Sequence, residues 1–385
     1  MTMLTTTAEV SALCERLAKA EYVTVDTEFM RETTYWARLC LVQIAGPDES
    51  AAIDPLAPGM DLTPLFALLA NPDILKVFHA ARQDLEIFHH LSGEVPHPIF
   101  DSQVAAMVCG FGDSVAYDTL AARLAGANID KHSRFTDWAR RPLTDRQVGY
   151  ALDDVIHLRP IYEKLSGMLE KNGRKHWLGE EMAILTDRGT YEVNPRETWR
   201  RLKLRNPKPR MVAVLQEIAA WREVEAQLRD VPRNRIIRDE ALLEIAAHPP
   251  KNREELGGIR GFPKGIAESA RGEAIVEAVG RALALSKNDL PDVPDRSQKA
   301  QGIGPLVELL KVLLRMKCEE HEVAQKLIAN VSDLEQIATD DKAPVAALQG
   351  WRRDVFGTDA LRLKHGELAL AATGRKVNLI EVTPR

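Results

Sequence analysis

Strand-forming runs crowd into residues 22–79, and beyond them the chain reads as helical almost to its C-terminus. That order constrains the fold more than any other feature of the sequence. YVTVDTEF, ARLCLVQIAG, AAIDP and ILKVFH are short runs rich in β-branched and apolar residues, and they predict strands. AEVSALCERLAKA before them reads as a helix, as do TPLFALLANP between them and ARQDLEIFHHL, IFDSQVAAMVC and DTLAARLAG after them. TDRQVGYALDDVIHLRPIYEKLSGMLEKNG reads as one long helix with Thr144 as its N-cap. Strands first and helices later predict a mixed sheet with a consecutive antiparallel start and flanking helices, not a doubly wound βαβ repeat.

The segment RETWRRLKLRNPKPR, residues 196–210, sets seven basic residues against one acid, and Pro207 and Pro209 break any helix there. It reads as a domain boundary. Beyond it no strand is expected until VNLIEV near the C-terminus. NDLPDVPDRSQKAQGIGP, residues 288–305, reads as a second linker, flanked by two modules of similar length and pattern that we read as a diverged repeat. The expected organisation is an α/β domain over 1–170, a connecting basic segment over 171–206, a helical module over 207–288, a linker over 289–301 and a second helical module over 302–385.

A net charge of −5 excludes a uniformly basic nucleic-acid coat protein but leaves room for local basic patches. Cys14, Cys40, Cys109 and Cys318 are scattered without a CxxC pair, which suggests neither a zinc site nor a disulfide framework. The N-terminus has no signal-peptide pattern, and no apolar run approaches the ~20 residues that span a bilayer. A cytoplasmic protein is the expectation.

Within VTVDTEF, Asp26 and Glu28 leave the strand on one face. Two carboxylates about 7 Å apart repel by roughly 2–3 kcal/mol at an effective dielectric near 20. Something positive should sit between them. Asp84 stands on the first turns of the helix after ILKVFH, where the helix dipole alone would favour an acid. Tyr150 and Asp154, four apart in VGYALDDVIHL, share a helix face; Asp153, three from Tyr150, is not excluded by spacing. Each signal has a bland reading, as an edge-strand face, a stabilising first-turn acid or a solvated acidic pair. Three in one domain carry more weight than any alone.

VDTEF, HAARQDLEIF and YALDD, in that order, closely resemble the three exonuclease motifs of the DEDD superfamily, and the YxxxD spacing of Tyr150 and Asp154 resembles its tyrosine-bearing branch. RLCLVQIA, FDSQVAA and DKHSRFTDWARRPLTDRQVGYALDDV look like ribonuclease D. Past residue 205, Trp221-Arg222, RDVPRNRIIRDEAL and the EL-x-x-I-x-G ending resemble the helicase-and-RNase-D C-terminal (HRDC) domain, and residues 302–375 look like a degenerate second copy. The resemblance covers nearly the whole chain. It implies a ribonuclease H-like mixed sheet with flanking helices, followed by two all-α HRDC-like modules, in a monomer.

The resemblance also implies that Asp26, Glu28, Asp84 and Asp154 hold two divalent metal ions, Mg²⁺ or Mn²⁺, with Asp26 bridging both and Tyr150 orienting the attacking water. Four acids suit hard cations, and two such ions answer the needs of in-line phosphodiester hydrolysis. Asp153 stands where the family usually has a small residue. Phe29 and Met30 are candidates to stack on the last bases, although Phe29 could equally be core; His79 could contact substrate or be structural. Arg200, Lys203, Arg205 and Lys208 could neutralise upstream phosphates or form an exposed linker.

The expected activity is 3′→5′ exoribonuclease trimming of tRNA precursors and other small structured RNAs to 5′-mononucleotides. A DNA-directed exonuclease of the same superfamily and a non-catalytic RNA-binding scaffold compete with it. The chain has no GxxxxGK[ST] loop or other helicase motif, and none of the four acids is lost. Asp26→Ala is expected to abolish turnover while leaving RNA binding largely intact. Tyr150→Phe should slow chemistry with a smaller effect on metal affinity, read from initial rates across a metal titration.

Overall fold

The computed structural model describes residues 3–130, 132, 136–204, 207–291 and 302–382. The N-terminal region runs β1 (Met3–Leu4), α1 (Thr7–Leu17), β2 (Tyr22–Met30), β3 (Arg38–Ala45), β4 (Ser50–Ile53), α2 (Thr63–Ala70), β5 (Leu75–Phe78), α3 (Arg82–Ser92) and β6 (Ile99–Asp101). Helices α4 (Ser102–Val108), α5 (Tyr117–Leu120), α6 (Asp145–Ile156), α7 (Leu158–Lys171) and α8 (Lys175–Thr186) follow. The six strands form one mixed sheet in the order β1-β4-β3-β2-β5-β6. β3 pairs antiparallel with β4, whereas β2–β5, β5–β6 and β1–β4 are parallel. β2 lies inside the sheet, and Val23, Thr24 and Val25 are fully buried on its two faces.

Two predicted helices resolve differently. IFDSQVAAMVC begins as strand β6, and the helix starts only at Ser102 because the Asp101 carboxylate caps it, accepting from the Gln103 and Val104 N–H groups. The single long helix expected after Thr144 is two, α6 and α7, meeting at His157. Pro160 explains the break: it has no N–H to give the Ile156 carbonyl, and its ring would clash there. β1 and α8 carried too little pattern to predict.

The helical region comprises α9 (Pro209–Arg229), α10 (Arg233–Ile236), α11 (Asp239–Ala247), α12 (Arg253–Gly257), α13 (Lys264–Ala267) and α14 (Ala270–Ala284). After it come α15 (Gly304–Glu320), α16 (Gln325–Ile328), α17 (Val331–Thr339), α18 (Gly350–Arg352) and α19 (Thr358–Lys364). VNLIEV forms β8 (Lys376–Glu381), paired antiparallel with β7 (Leu368–Thr373), a strand whose alanine-rich sequence LALAAT gave no β signal. Pro209 occupies the first turn of α9, where its missing N–H costs nothing.

The chain divides into two compact units. One joins residues 1–28 and 41–187 to residues 300–385. Within it, Trp177 of α8 stacks on Trp351 of α18 at 4.2 Å between ring centroids, and Arg352 pairs with Glu180 and Glu181. The Ala324 N–H donates to the Met107 carbonyl at 3.0 Å. The other unit joins residues 29–40 to residues 188–299. There the Tyr35 hydroxyl and Arg233 both donate to the buried Glu223 carboxylate on α9, and Asp230 accepts from the Tyr35 and Trp36 N–H groups. Burial alone would raise the Glu223 pKa; Arg233 and Tyr35 overcome it and hold that carboxyl below its ordinary value.

Both helical modules place a long helix, a four-residue helix and a nine-residue helix in succession. Each also has a glycine where backbones nearly touch. A Cβ on Gly272 would lie 2.2 Å from the Ala267 carbonyl oxygen, and one on Gly357 would lie 2.2 Å from that of Ala347. Gly272→Ala must therefore shift the backbone at the α13–α14 junction. It should cost ~2 kcal/mol or more in urea unfolding, against near neutrality for Gly280→Ala on the same helix, where a Cβ meets nothing.

Candidate active site

Asp26 and Glu28 leave β2 on one face, as alternation requires, and α6 brings Asp154 to them. One carboxylate oxygen from each of the three lies within 4.8 Å of the others. The placement of α6 follows from local chemistry. A reciprocal capping box between Thr144 and Gln147 starts the helix, and the fully buried Thr24 hydroxyl on β2 donates to the Val155 carbonyl at 2.8 Å, one residue past Asp154. Arg141, bidentate on Asp54 at 2.7 Å, fixes the approach to α6 against the residue after β4.

Asp84 reaches the site differently. Ala80 takes a left-handed backbone, φ 59°, in the turn between β5 and α3, and the Asp101 carboxylate holds that turn by accepting from the Ala80 and Ala81 N–H groups at 3.0 and 2.8 Å. Asp84 then falls on the first turn of α3, buried, where it accepts a hydrogen bond from the Thr27 hydroxyl. Asp84 stands outside the three-carboxylate cluster but within electrostatic reach of Asp26. Burial, then the charge of Asp26, pushes its pKa well above the ordinary carboxyl range. Burial likewise pushes Asp26 up to about 7.

Tyr150 lies one turn before Asp154 on α6, its ring stacked on the buried Trp138 at 6.2 Å between centroids. Asp153 is outside the three-carboxylate group: its carboxylate lies 3.9 Å from the His157 ring and is half exposed. His79 sits partly buried with Nδ1 2.9 Å from the Ser102 hydroxyl and its ring edge-on to Tyr117 at 5.4 Å; burial holds its pKa below the ordinary value, so the ring is neutral at pH 7. Phe29 and Met30 are partly buried at the end of β2. Arg200 pairs with Glu197 and lies over the Trp199 ring, while Lys203 and Lys208 are exposed. Those three basic residues belong to the other compact unit, and Arg205 lies outside the described residues.

Two residues at the site escaped sequence reasoning. Thr27 sits between the two acids of the first motif and reads as an ordinary inward strand residue, yet its hydroxyl is a donor to Asp84. Tyr117 begins α5, and its hydroxyl donates to the Asp153 carbonyl at 3.0 Å. Burial and the neighbouring Asp154 and Asp26 carboxylates raise its pKa, so the phenol stays protonated. Neither carries a sequence signal, because a single threonine or tyrosine has many structural uses.

Comparison with known proteins shows the family. The 3′-5′ exonuclease family model matches residues 1–170, and the HRDC domain model matches residues 211–279. A ribonuclease D of Nitrobacter hamburgensis is 53% identical over 99% of this chain and 100% of its own length, and one of Granulibacter bethesdensis is 51% identical over 98% and 96%. The chain belongs to the ribonuclease D family. The crystal structure of Escherichia coli RNase D, described as an exoribonuclease involved in structured RNA processing, matches with a TM-score of 0.82 at 30% identity, covering 95% of this chain and 98% of that one. Family membership brings 3′→5′ exoribonuclease hydrolysis and a requirement for divalent metal, and the oxygen-only donor set of this ribonuclease D family member fits hard cations.

A carboxyl raised by burial destabilises the metal-free fold as pH rises. Between the unfolded value near 4 and the folded value of about 7, the native state holds the Asp26 proton and the unfolded chain does not, so stability falls through that window. In EDTA, the melting temperature of the parent protein relative to Asp26→Asn should therefore drop between pH 4 and 7. Saturating Mg²⁺ should shrink that drop; a relative melting temperature flat with pH would contradict it.

Proposed function

We propose that this chain removes 5′-mononucleotides one at a time from the 3′ ends of tRNA precursors and other small structured RNAs, in the cytoplasm, at the cluster of Asp26, Glu28 and Asp154 with Asp84 beside it. The observation that carries the reading is that cluster: three carboxylates with oxygens within 4.8 Å of one another, on an inner strand and the helix tied to it. At that separation each pair repels by roughly 3 kcal/mol at an effective dielectric near 20, which cations would relieve. Two divalent ions, Mg²⁺ or Mn²⁺, would supply the Lewis acidity that activates water and takes up the charge of the leaving 3′ oxygen. Asp26, Glu28 and Asp154 would hold them, and Asp84, steadied by Thr27, would complete the set.

The remaining side chains bind, orient and exclude. Tyr150, braced on Trp138, presents its hydroxyl to the attacking water. That water forms a new bond to phosphorus as the bond from phosphorus to the 3′ oxygen breaks; the products are a 5′-monophosphate and a strand one nucleotide shorter. Phe29 and Met30 offer apolar surface to the terminal bases, and the neutral His79 a hydrogen-bonding ring. Arg200, Lys203, Arg205 and Lys208 contribute positive charge for upstream phosphates. We take residues 1–170 as the nuclease domain and 207–288 and 302–385 as HRDC and HRDC-like modules, joined by the basic segment 171–206 and the linker 289–301. These modules grip structured RNA through its backbone with little sequence preference.

A gel time course on a 5′-labelled tRNA with a short 3′ extension tests the reading, with Mg²⁺, Mn²⁺ or EDTA, beside the same extension as DNA. The expected result is a ladder shortening one nucleotide at a time, absent in EDTA and weak on DNA. Equal or faster trimming of DNA would overturn the RNA assignment. A stable shifted complex without shortening would leave an RNA-binding scaffold.

A further inference from the structure

The unit formed by residues 29–40 and the first helical module contains a cleft of about 410 Å³ whose wall carries four arginines, Arg31, Arg201, Arg222 and Arg233. Two acids, Glu32 and Asp239, share that wall, so positive charge is in excess. A cleft of this volume is within the range that takes small ligands.

The arginines are not equivalent. Arg233 is paired with the buried Glu223; Arg201 is exposed, and its charge also acts on Glu223, though without an ion pair among the described residues. Arg222 is only 5% exposed. Its Nη1 donates to the Ile237 carbonyl at 2.9 Å and to Asp239 at 2.7 Å, but its Nε is buried with no protein acceptor. A guanidinium held rigidly on one edge, with a desolvated N–H left over, is preorganised for an anion with several acceptor oxygens. The buried arginine of the other helical module, Arg352 on α18, is by contrast used up: it gives Nε to the Leu327 carbonyl and its remaining donors to Glu180 and Glu181.

We propose that this arginine-walled cleft is a phosphate-binding site, separate from the carboxylate cluster, that takes one phosphodiester of the RNA strand. Arg222 and Arg201 would contact the phosphate oxygens, and Arg31 would add charge. Taking the phosphate from an RNA strand rests on the functional reading above; the phosphate chemistry of the cleft does not. The same chemistry would accept the phosphate of a free mononucleotide, and the experiment separates the two.

The full chain is titrated in EDTA, where hydrolysis stops, with a 5′-labelled short single-stranded RNA, and binding is read by fluorescence anisotropy across a KCl series. Arg201→Gln, at an exposed position that should not disturb folding, is expected to weaken binding about fivefold and to make the slope of log K against log [KCl] shallower by about 0.7. Arg222→Lys, which keeps the charge and loses the fork, should weaken it comparably. In a second arm, inorganic phosphate and 5′-AMP are titrated calorimetrically. Phosphate binding lost in Arg201→Gln while the RNA slope is unchanged would keep the phosphate chemistry and overturn the strand as its source. RNA and phosphate titrations both indifferent to Arg201→Gln would overturn the site. Parent protein that bound no RNA would instead fail the functional reading, and the phosphate arm would still report on the cleft.

Discussion

Mutual repulsion among Asp26, Glu28 and Asp154 is the constraint around which the nuclease region is organised. Carboxylates with oxygens within 4.8 Å of one another, on partly buried side chains, repel by roughly 3 kcal/mol per pair when both are ionised and no cation is present. The surrounding structure supplies what opposes it. β2 lies between β3 and β5 and pairs with β5 over Tyr22–Thr24, so the strand that carries both acids is anchored just before them. Thr24 ties the end of α6 to β2, the capping box fixes where that helix begins, and Asp101 holds the turn that delivers Asp84. The strained Ala80 backbone belongs to the same arrangement: a non-glycine residue in the left-handed region is kept there by two hydrogen bonds, its own N–H and that of Ala81 both donating to the Asp101 carboxylate. The fold gathers like charges where we propose that cations act.

Much of this was legible in the sequence. Alternation in VTVDTEF put Asp26 and Glu28 on one face, and four-residue spacing put Tyr150 and Asp154 on one side of a helix; both are short-range consequences of backbone geometry. What could not be read was long-range. Thr27 and Tyr117 act through partners 57 and 36 residues away. Asp153 was left open by spacing; the structure leaves it out of the three-carboxylate group, with its carboxylate 3.9 Å from the His157 ring. Lys76, within ILKVFH, is a further long-range case. It is fully buried, with its ammonium group donating to the Asn71, Ile74 and His97 carbonyls, and burial pushes its pKa down to about 8. The misread elements share a cause: helix propensity in FDSQVAAMV and in the stretch around Pro160 was real, but a capping aspartate and a proline set the boundaries.

The two helical modules begin alike and are put to different uses. They share the order of their first three helices and a glycine at a near-contact of backbones, as expected of a diverged pair. Each buries an arginine, at a different place in its module. Arg352 is consumed by carboxylates of α8 and, with the Trp177–Trp351 stack, joins its module to the nuclease region in one compact unit. Arg222 keeps one donor without a protein acceptor, beside a cleft. One module spends its cationic chemistry on cohesion, and the other retains it for a ligand.

The account depends on divalent cations binding where the carboxylates converge. Electron paramagnetic resonance of Mn²⁺ titrated into the protein measures that directly, because the signal of the free ion disappears on binding. The parent protein should remove Mn²⁺ from solution, and Asp26→Asn and Asp154→Asn should each lose most of that capacity while keeping a native melting profile. Folded variants that bound Mn²⁺ with unchanged stoichiometry and affinity would contradict the central claim.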